Sequence, residues 1–484
     1  MGSLNSAVKK ALRLALSKGF QLSPDALEYL EGLPDPVTII LQALERTPDG
    51  VVVIDKPLLQ GLISAGSRKK HELLDARDVE PELKVLSQVS LQHYTPTPEG
   101  FLKLFRDRYE RLYKLFKTRR DLGSIVHIGE LRPNMHDIAL VGLVTEKRRL
   151  ASGAYLLELE DPTGIVTVVI PPEPKVVSKL DYVLPDVCIA VIGDYKKGKI
   201  LAKDISLPEI RPPSMPEDPP AVSVLLLSDL HIGSSLFMNE CFMKLVRWLR
   251  GEDLHMRELA RSVKYVVIAG DIVDGAGIYP GQEEELCIKD VEKQYEEAAR
   301  ILSQLPDYVE LVVIPGNHDA TSPALPYAGF LEDYAYPLKD LSNVTTAGDP
   351  VLLSLHGVKL LASHGRSLDD VIASIPGASF TPDGVARAMQ CLLRCRHLAP
   401  IYGLKTPLAP LGRDFMVIEQ VPHILHMGHV HISSVSRYRG VILANSGTWQ
   451  SQTKYQLSMG IHPTPCQAVL VRLDTLQATI LNFV

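Results

Sequence analysis

Five apolar segments between residues 221 and 484 each end in side chains that can bind metal ions or transfer protons. The segments are SVLLLSDLHIGS, YVVIAGDIVDG, LVVIPGNHDA, KLLASHGRS and HILHMGHVHIS. Short apolar runs that stop at Gly, Pro, Asp or His predict buried strands in a sheet flanked by helices. Because ligands gather at the carboxyl ends of the strands in such sheets, we expect these distant residues to meet at one site.

The candidate donors combine imidazole with oxygen ligands, and this mixture suits Mn, Fe, Zn or Ni better than Ca or Mg. A single ion does not need so many ligands, whereas two ions about 3.5–4 Å apart and bridged by a carboxylate would use them all. Taken alone, a histidine after an apolar strand or a Gly-Asn-His turn has an ordinary structural explanation. Their occurrence together, in strand-turn context, indicates a metal centre. The candidate donors are Asp229, His231, Asp271, Asn317, His364, His429 and His431.

The motifs Asp-x-His, Gly-Asp-x-x-Asp, Gly-Asn-His-Asp, His and Gly-His-x-His are complete in the chain, and from residue 221 onward the sequence resembles the calcineurin-like metallophosphoesterases. The resemblance implies an αββα sandwich with two metal ions bridged by Asp271, and it implies that His318 is catalytic without binding metal. Asp274 and Asp319 are candidates to orient the imidazoles. The remaining ligands would divide between the ions as Asp229, His231 and His431 on one, and Asn317, His364 and His429 on the other.

Longer sequence stretches point to one particular family among these phosphoesterases. With GAGIYPGQEEEL, HGRSLDDVI, PLAPLGRD and NSGTWQSQTKYQ, the chain resembles the small subunits of archaeal family D DNA polymerases over nearly its whole length. This implies a heterodimer whose large subunit synthesises DNA, while this chain is a 3′-to-5′ exonuclease on single-stranded or mispaired DNA ends, with Mn as the foremost metal. Eukaryotic polymerase B-subunits look similar but have lost metal ligands, so the full set here predicts a working nuclease.

Two other functions agree with the same residues. A stand-alone metallophosphoesterase on cyclic or dinucleotide substrates would be an active monomer, in which an OB-fold would be a regulatory module. A non-catalytic scaffold subunit would keep the metals only for structure and would bind a polymerase through its OB-fold and surface strands. Hydrolysis of single-stranded DNA by the purified chain distinguishes the nuclease from the scaffold.

The chain before the metal motifs divides into further segments. Residues 1–62 have helical spacing and predict a small helical domain, and the polar, aperiodic residues 63–99 predict a flexible linker. Residues 121–212 switch to period two, and five strands in about 90 residues predict an OB-fold barrel. The Pro-rich segment EIRPPSMPEDPP marks the joint to the phosphoesterase domain, 213–484. The expected fold class is therefore multidomain α/β.

Residues 100–120 predict a basic amphipathic helix, in which eight basic residues outnumber two acidic ones. Such a charge concentration on a chain of net charge −6 favours contact with nucleic-acid phosphates. Docking of the apolar stripe on the next domain, with a solvated charged face, explains the pattern equally well. The barrel is similarly open to two uses, because OB-folds bind single strands and can also hold a partner protein.

The remaining features concern compartment and the C-terminal segment. No apolar run approaches the ~18 residues of a membrane span, and the six scattered cysteines with no secretory signal predict a cytoplasmic protein with reduced thiols. The segment QATILNFV, 477–484, alternates as a final strand after AVLVRLDTL, which is the interpretation we favour. It also matches a sliding-clamp-binding peptide through Gln477, Ile480 and Phe483.

Overall fold

The computed structural model describes residues 6–17, 20–33, 35–46, 53–56, 59, 72–89, 96–253 and 256–484. The chain divides into two compact units, Met1–Glu72 and Leu73–Val484. Parts of the predicted helical domain and of the predicted linker, including 60–71 and 90–95, lie outside the described residues. Within the described ranges, no helix has both the length and the apolar character needed to cross a membrane.

In the part of it that the structure describes, the first unit contains three short helices and a two-stranded parallel sheet. Helix α2 has Ser23 at its N-cap and Pro24 as its first helical residue, where a missing N–H costs nothing. Apolar side chains such as Ala11, Leu30 and Ile40 form its core. The elements are α1 (Ser6–Ser17), β1 (Gln21–Leu22), α2 (Pro24–Glu31), α3 (Pro36–Arg46) and β2 (Val53–Ile54).

The second unit starts inside the range predicted to be a flexible linker, and the structure corrects that prediction at strand β3 (Leu83–Gln88). This strand pairs antiparallel with residues 351–355 at the edge of a six-stranded sheet. Just before it, the backbone N–H of Glu82 donates to the Tyr265 hydroxyl at 2.9 Å. The strand carries no apolar alternation because most of its side chains are exposed, and backbone hydrogen bonds to the sheet edge hold it.

The basic amphipathic helix is present as α4 (Pro98–Lys117), capped by Thr97, whose side chain accepts from the N–H of Gly100. On its buried face the Arg108 Nε donates to Asp414 at 2.7 Å, and both side chains are at most 2% exposed. Arg111 lies 2.9 Å from Glu419. Part of the basic charge therefore docks the helix on residues that follow the barrel, whereas phosphate contact by its exposed side chains stays a prediction.

A closed five-stranded barrel follows the helix, with the strand order β4-β5-β6-β8-β7. The turns Asp161-Pro162-Thr163-Gly164 and Lys196-Lys197-Gly198-Lys199 join its second strand to its third and its fourth strand to its fifth. Alternate side chains, including Leu140, Leu159 and Val168, are fully buried inside it. The elements are β4 (Met135–Arg149), β5 (Tyr155–Asp161), β6 (Gly164–Ile170), α5 (Pro174–Val177), β7 (Cys188–Lys196) and β8 (Lys199–Ser206).

The rest of the unit contains two six-stranded sheets of mixed direction, which make the fold multidomain α/β. The strands are β9 (Ser223–Leu227), β10 (Val263–Ala269), β11 (Glu310–Ile314), β12 (Val344–Thr346), β13 (Val351–Leu355), β14 (Val358–Ala362), β15 (Ile424–Met427), β16 (Ser433–Tyr438), β17 (Val441–Ser446), β18 (Gln467–Arg472) and β19 (Ala478–Asn482). Their orders are β12-β11-β10-β9-β18-β19 and β16-β17-β15-β14-β13-β3.

The two sheets pack face to face and helices cover their outer faces. Leu226 from one sheet and Leu353 from the other belong to a single buried apolar cluster. On the outer faces, Phe242 of α6 packs in the cluster of the first sheet, and Leu392 of α11 packs in that of the second. The helices are α6 (Asn239–Leu249), α7 (Arg257–Arg261), α8 (Val291–Leu302), α9 (Glu332–Lys339), α10 (Leu368–Ser374), α11 (Pro382–Cys395) and α12 (Lys454–Ser458).

The C-terminal segment forms the predicted final strand. β19 pairs antiparallel with β18 from Gln467↔Asn482 to Val471↔Ala478. The Phe483 side chain is 8% exposed, and its ring centroid lies 5.7 Å from that of Trp248. The strand interpretation is therefore confirmed, and the aromatic residue of the alternative clamp peptide is part of the core.

We expect Arg108→Met to lower the free energy of unfolding by about 3–5 kcal/mol, because the buried Asp414 carboxylate keeps its contact with His397 but loses its arginine partner. Urea unfolding of the full chain measures the loss. Arg106→Met on the exposed face of the same helix is the matched control and should stay within about 0.5 kcal/mol of the parent. A loss below about 1 kcal/mol for Arg108→Met would contradict the structural role of this pair.

Candidate metal centre

The carboxyl ends of the central strands bring the predicted donors together. In one sheet β9, β10 and β11 are parallel neighbours, and they are followed by Asp229 and His231, by Asp271, and by Asn317. In the other sheet β14 and β15 are parallel neighbours. The residues after these two strands are His364, His429 and His431.

A first group of donor atoms lies where β9 and β15 end. The Nε2 atoms of His231 and His431 are 3.1 Å apart, and the His431 Nε2 is 3.5 Å from an Asp229 carboxylate oxygen. The His231 Nε2 also lies 3.8 Å from Asp271 Oδ2. Asp229, His231 and His431 are all buried, so one compact pocket presents imidazole and carboxylate ligands to the same point.

A second group lies beside the first and shares Asp271 with it. The His364 Nε2 is 3.3 Å from Asp271 Oδ2, 3.1 Å from Asn317 Oδ1 and 3.3 Å from His429 Nδ1. Carboxylate and imidazole donors therefore converge twice, with an amide in the second group and one carboxylate common to both groups. This donor chemistry fits two divalent first-row cations.

The outward nitrogens of two imidazoles are held by hydrogen bonds, which direct their Nε2 atoms to the centre. The His231 Nδ1 lies 2.9 Å from Asp274 Oδ1, and the His364 Nδ1 lies 2.9 Å from the carbonyl oxygen of Ala269. Partners of this kind fix the tautomer and the ring orientation of a metal-binding histidine. Asp274 therefore occupies the position expected of it from the sequence.

Two further side chains contact metal-binding histidines, and neither was assigned a role from the sequence. The Gln456 side chain lies 2.8 Å from His431 Nδ1, and an Asp369 carboxylate oxygen lies 3.5 Å from His429 Nε2. Both residues stand in the stretches NSGTWQSQTKYQ and HGRSLDDVI. These two stretches were the only sequence feature that pointed to Gln456 and Asp369. Strand periodicity does not show which polar residue of a loop faces a metal-binding histidine.

The backbone at the centre adopts conformations that side chains other than glycine rarely take. A left-handed φ costs about 1–3 kcal/mol at each such residue and persists only where the surrounding structure enforces it. Such strain concentrates at functional sites. The donors with φ between 52° and 71° are Asp229, His231, Asp271, His429 and His431.

Glycines in the motifs make room for the carboxylates. A Cβ atom on Gly316, in the Gly-Asn-His-Asp turn, would lie 2.1 Å from Asp271 Oδ1. A Cβ on Gly428 would lie 2.4 Å from Asp229 Oδ2. Both distances are shorter than any van der Waals contact, so these positions must lack a side chain for the carboxylates to stay where they are.

His318 lies beside the donor groups, with its side chain 16% exposed. Its backbone N–H donates to Asp271 Oδ1 at 2.8 Å, and its Nδ1 lies 2.9 Å from the carbonyl oxygen of Asp274. Burial alone would raise the pKa of the Asp271 carboxyl, but the charges of His364 and His318 hold that pKa well below its usual range. His318 thus borders the centre and its solvent opening.

Asp319 was expected to orient an imidazole, but its carboxylate contacts backbone N–H groups and a tyrosine instead. Its carboxylate accepts from the backbone N–H groups of Ile272, Val273 and Gly316 and from the Tyr295 hydroxyl. Among the hydrogen bonds of the described residues, none joins it to an imidazole. Burial, followed by the negative charge of Asp271, raises the pKa of Asp319 to about 7. Asp319 therefore ties the two metal-site loops together, a role that depends on backbone contacts and leaves no sequence pattern.

Comparisons with known proteins agree with the resemblance found in the sequence. Residues 224–435 match the family of DNA polymerase alpha/epsilon B subunits. The chain is 41% identical over 458 residues to the DNA polymerase II small subunit of Methanothermobacter thermautotrophicus, covering 92% of this chain and 94% of that protein. It is 40% identical over 394 residues to the Pyrococcus furiosus protein of the same name, covering 80% of this chain but only 64% of the relative's length.

Among solved structures, a novel archaeal phosphodiesterase is 11% identical and covers 54% of this chain and 99% of its own, with a TM-score of 0.27. The family of this chain is assigned from its sequence relatives and not from this solved structure. With 41% of residues identical over 94% of the Methanothermobacter protein, the chain belongs to the archaeal DNA polymerase II, or family D, small subunits.

Proposed function

We propose that this chain is the small subunit of a heterodimeric replicative DNA polymerase and carries a two-metal 3′-to-5′ exonuclease for single-stranded or mispaired DNA ends. The observation that carries the proposal is the shared carboxylate of Asp271, whose Oδ2 is 3.3 Å from His364 Nε2 and 3.8 Å from His231 Nε2. Membership of a small-subunit family supports a large partner subunit, to which we assign DNA synthesis.

The same proposal assigns names to the domains. The helix-covered pair of sheets is taken as a calcineurin-like phosphoesterase domain of residues 213–484, and the closed barrel as an OB-fold of residues 121–212. The strand order β4-β5-β6-β8-β7 supports the second assignment, because a small five-stranded barrel is the architecture of that fold. The small helical domain stays assigned to residues 1–62.

The donor groups would each hold one divalent cation, with Asp271 bound to both. Mn is our first choice, and Fe, Zn and Ni suit the same ligands. Two bound cations would supply a water that ionises near neutral pH and would neutralise charge on the phosphodiester. The ligand sets are Asp229, His231, His431 and Asp271, and Asn317, His364, His429 and Asp271.

His318 is proposed to act on the substrate directly. Because its Nδ1 lies 2.9 Å from a carbonyl oxygen, which can only accept, Nδ1 carries a proton in the neutral ring. A proton on Nε2 therefore makes the ring an imidazolium, which can donate to a phosphoryl oxygen or protonate the leaving 3′-alkoxide. Asp274 supports this ring through its carbonyl and supports His231 through its carboxylate.

We expect Asp271→Asn to reduce Mn-dependent hydrolysis of an end-labelled single strand by at least about 100-fold, because a neutral amide bridges two cations poorly. Isothermal titration with Mn should show weakened binding in the same variant. Asp307→Asn, an exposed residue with the same change in charge, is the control and should match the parent. Full Mn affinity and full activity in Asp271→Asn would contradict the shared-carboxylate site.

His318→Ala should separate metal binding from hydrolysis. Because the imidazole is proposed to donate a proton without binding metal, the variant should keep Mn affinity and lose about 10²–10⁴-fold in rate. Single-turnover cleavage of a labelled strand gives the rate, and calorimetry gives the affinity. An unchanged rate would refute the role of His318. If the parent binds metal but hydrolyses no DNA, the scaffold explanation replaces the nuclease.

The purified chain alone should not extend a primer, because we assign synthesis to the partner. A primer-template with all four deoxynucleotides and Mg measures extension on a sequencing gel. Adding the large subunit should restore synthesis and leave 3′-end removal dependent on Asp271. Extension by this chain on its own would contradict the division of labour between the two polypeptides.

A further inference from the structure

A cavity of about 660 Å³ opens directly above the donor groups. Its floor contains His231, Asp271, His429 and His431 together with His318. Large apolar side chains from two groups of residues also line the cavity. We call these two groups the walls of the clamp; one consists of Ile278, Tyr279 and Pro280, and the other of Phe380, Tyr455 and Ile461.

The clamp leaves apolar surface in water beside a charged site. Ile278 is 41% exposed and Tyr455 is 60% exposed. Exposed apolar side chains grouped at the mouth of a pocket mark surfaces that bind ligands. A polar floor suited to phosphate and apolar walls suited to a flat ring together match a nucleotide, which has one part of each kind.

Both walls are fixed relative to the donor groups. Tyr455 stands on α12 next to Gln456, whose side chain lies 2.8 Å from His431 Nδ1. In the other wall the backbone N–H of Ile278 donates to Gln282 Oε1 at 2.9 Å, and Gln282 Nε2 donates to an Asp274 carboxylate oxygen at 3.1 Å. Movement of either wall would therefore disturb hydrogen bonds that also orient the metal-binding side chains. The same hydrogen bonds thus fix the positions of the walls and of the donors.

We propose that the clamp binds the base of the 3′-terminal nucleotide by stacking while the adjoining phosphate lies at the metal centre. This inference rests on the proposed nuclease function and adds how that site selects its substrate. A base between two walls cannot stay paired, so a terminus must first give up its pairing. The cost is least for mismatched or single-stranded ends, which makes Ile278 and Tyr455 specificity-determining residues for unpaired ends.

The test compares a strand with a normal 3′-terminal nucleotide and one whose 3′-terminal nucleotide is abasic. In Tyr455→Ala and Ile278→Ala, the ratio of kcat/KM for the base-bearing end to that for the abasic end should fall roughly 5- to 100-fold. Tyr455→Phe should preserve the ratio because it keeps the ring. Leu457→Ala, which removes a 65% exposed side chain of the same helix, is the control and should also preserve it.

A second readout does not depend on hydrolysis. A 2-aminopurine base at the 3′ end loses fluorescence when it stacks on an aromatic ring, so binding to the full chain carrying His318→Ala with Mn should quench it. The added change Tyr455→Ala should remove most of the quenching. If the parent chain hydrolyses neither strand, the nuclease proposal fails, and this measurement still decides on the clamp.

Two results would contradict the proposal that the 3′-terminal base stacks in the clamp. Equal losses on base-bearing and abasic ends would mean that Tyr455 and Ile278 act on the centre and not on the base. An unchanged ratio together with unchanged quenching in both variants would mean that the base lies elsewhere.

Discussion

The structure depends on a pair of carboxylates, Asp229 and Asp271, held in the interior at no more than 2% exposure. Burying such charge is costly unless opposite charge is close. In the part of the chain that the structure describes, their ion-pair partners within 4 Å are histidines. Protonated imidazoles can supply such charge, since the charges of His364 and His318 lower the pKa of Asp271. Under the proposed function divalent cations would supply it instead, because imidazoles that bind metal are neutral.

The same requirement explains the local strain and the glycines. Left-handed backbone at Asp229 and Asp271 turns both carboxylates into the space between the sheets' carboxyl ends. Gly316 and Gly428 leave that space free, and Asp319 ties the loops around it through three backbone N–H groups. Stability is given up at single residues and recovered from the buried sheets, as is usual where geometry serves function.

The sequence predicted the part of this site that follows from strand periodicity. Apolar runs ending in Asp-x-His or Gly-His-x-His place their polar residues at the carboxyl ends of strands, and parallel neighbours bring those ends together. Features that depend on tertiary contacts could not be predicted from the sequence. β3 has no apolar alternation, Arg108 is indistinguishable from its exposed basic neighbours, and Gln456 reaches His431 only through the orientation of a five-residue helix.

The most direct measurement of the central claim is an anomalous difference map from crystals of this protein grown with manganese. We expect two peaks about 3.5–4 Å apart, both within bonding distance of Asp271, with His231 and His431 at one and His364 and His429 at the other. No peak between these residues, or a single peak that Asp271 does not contact, would contradict the account.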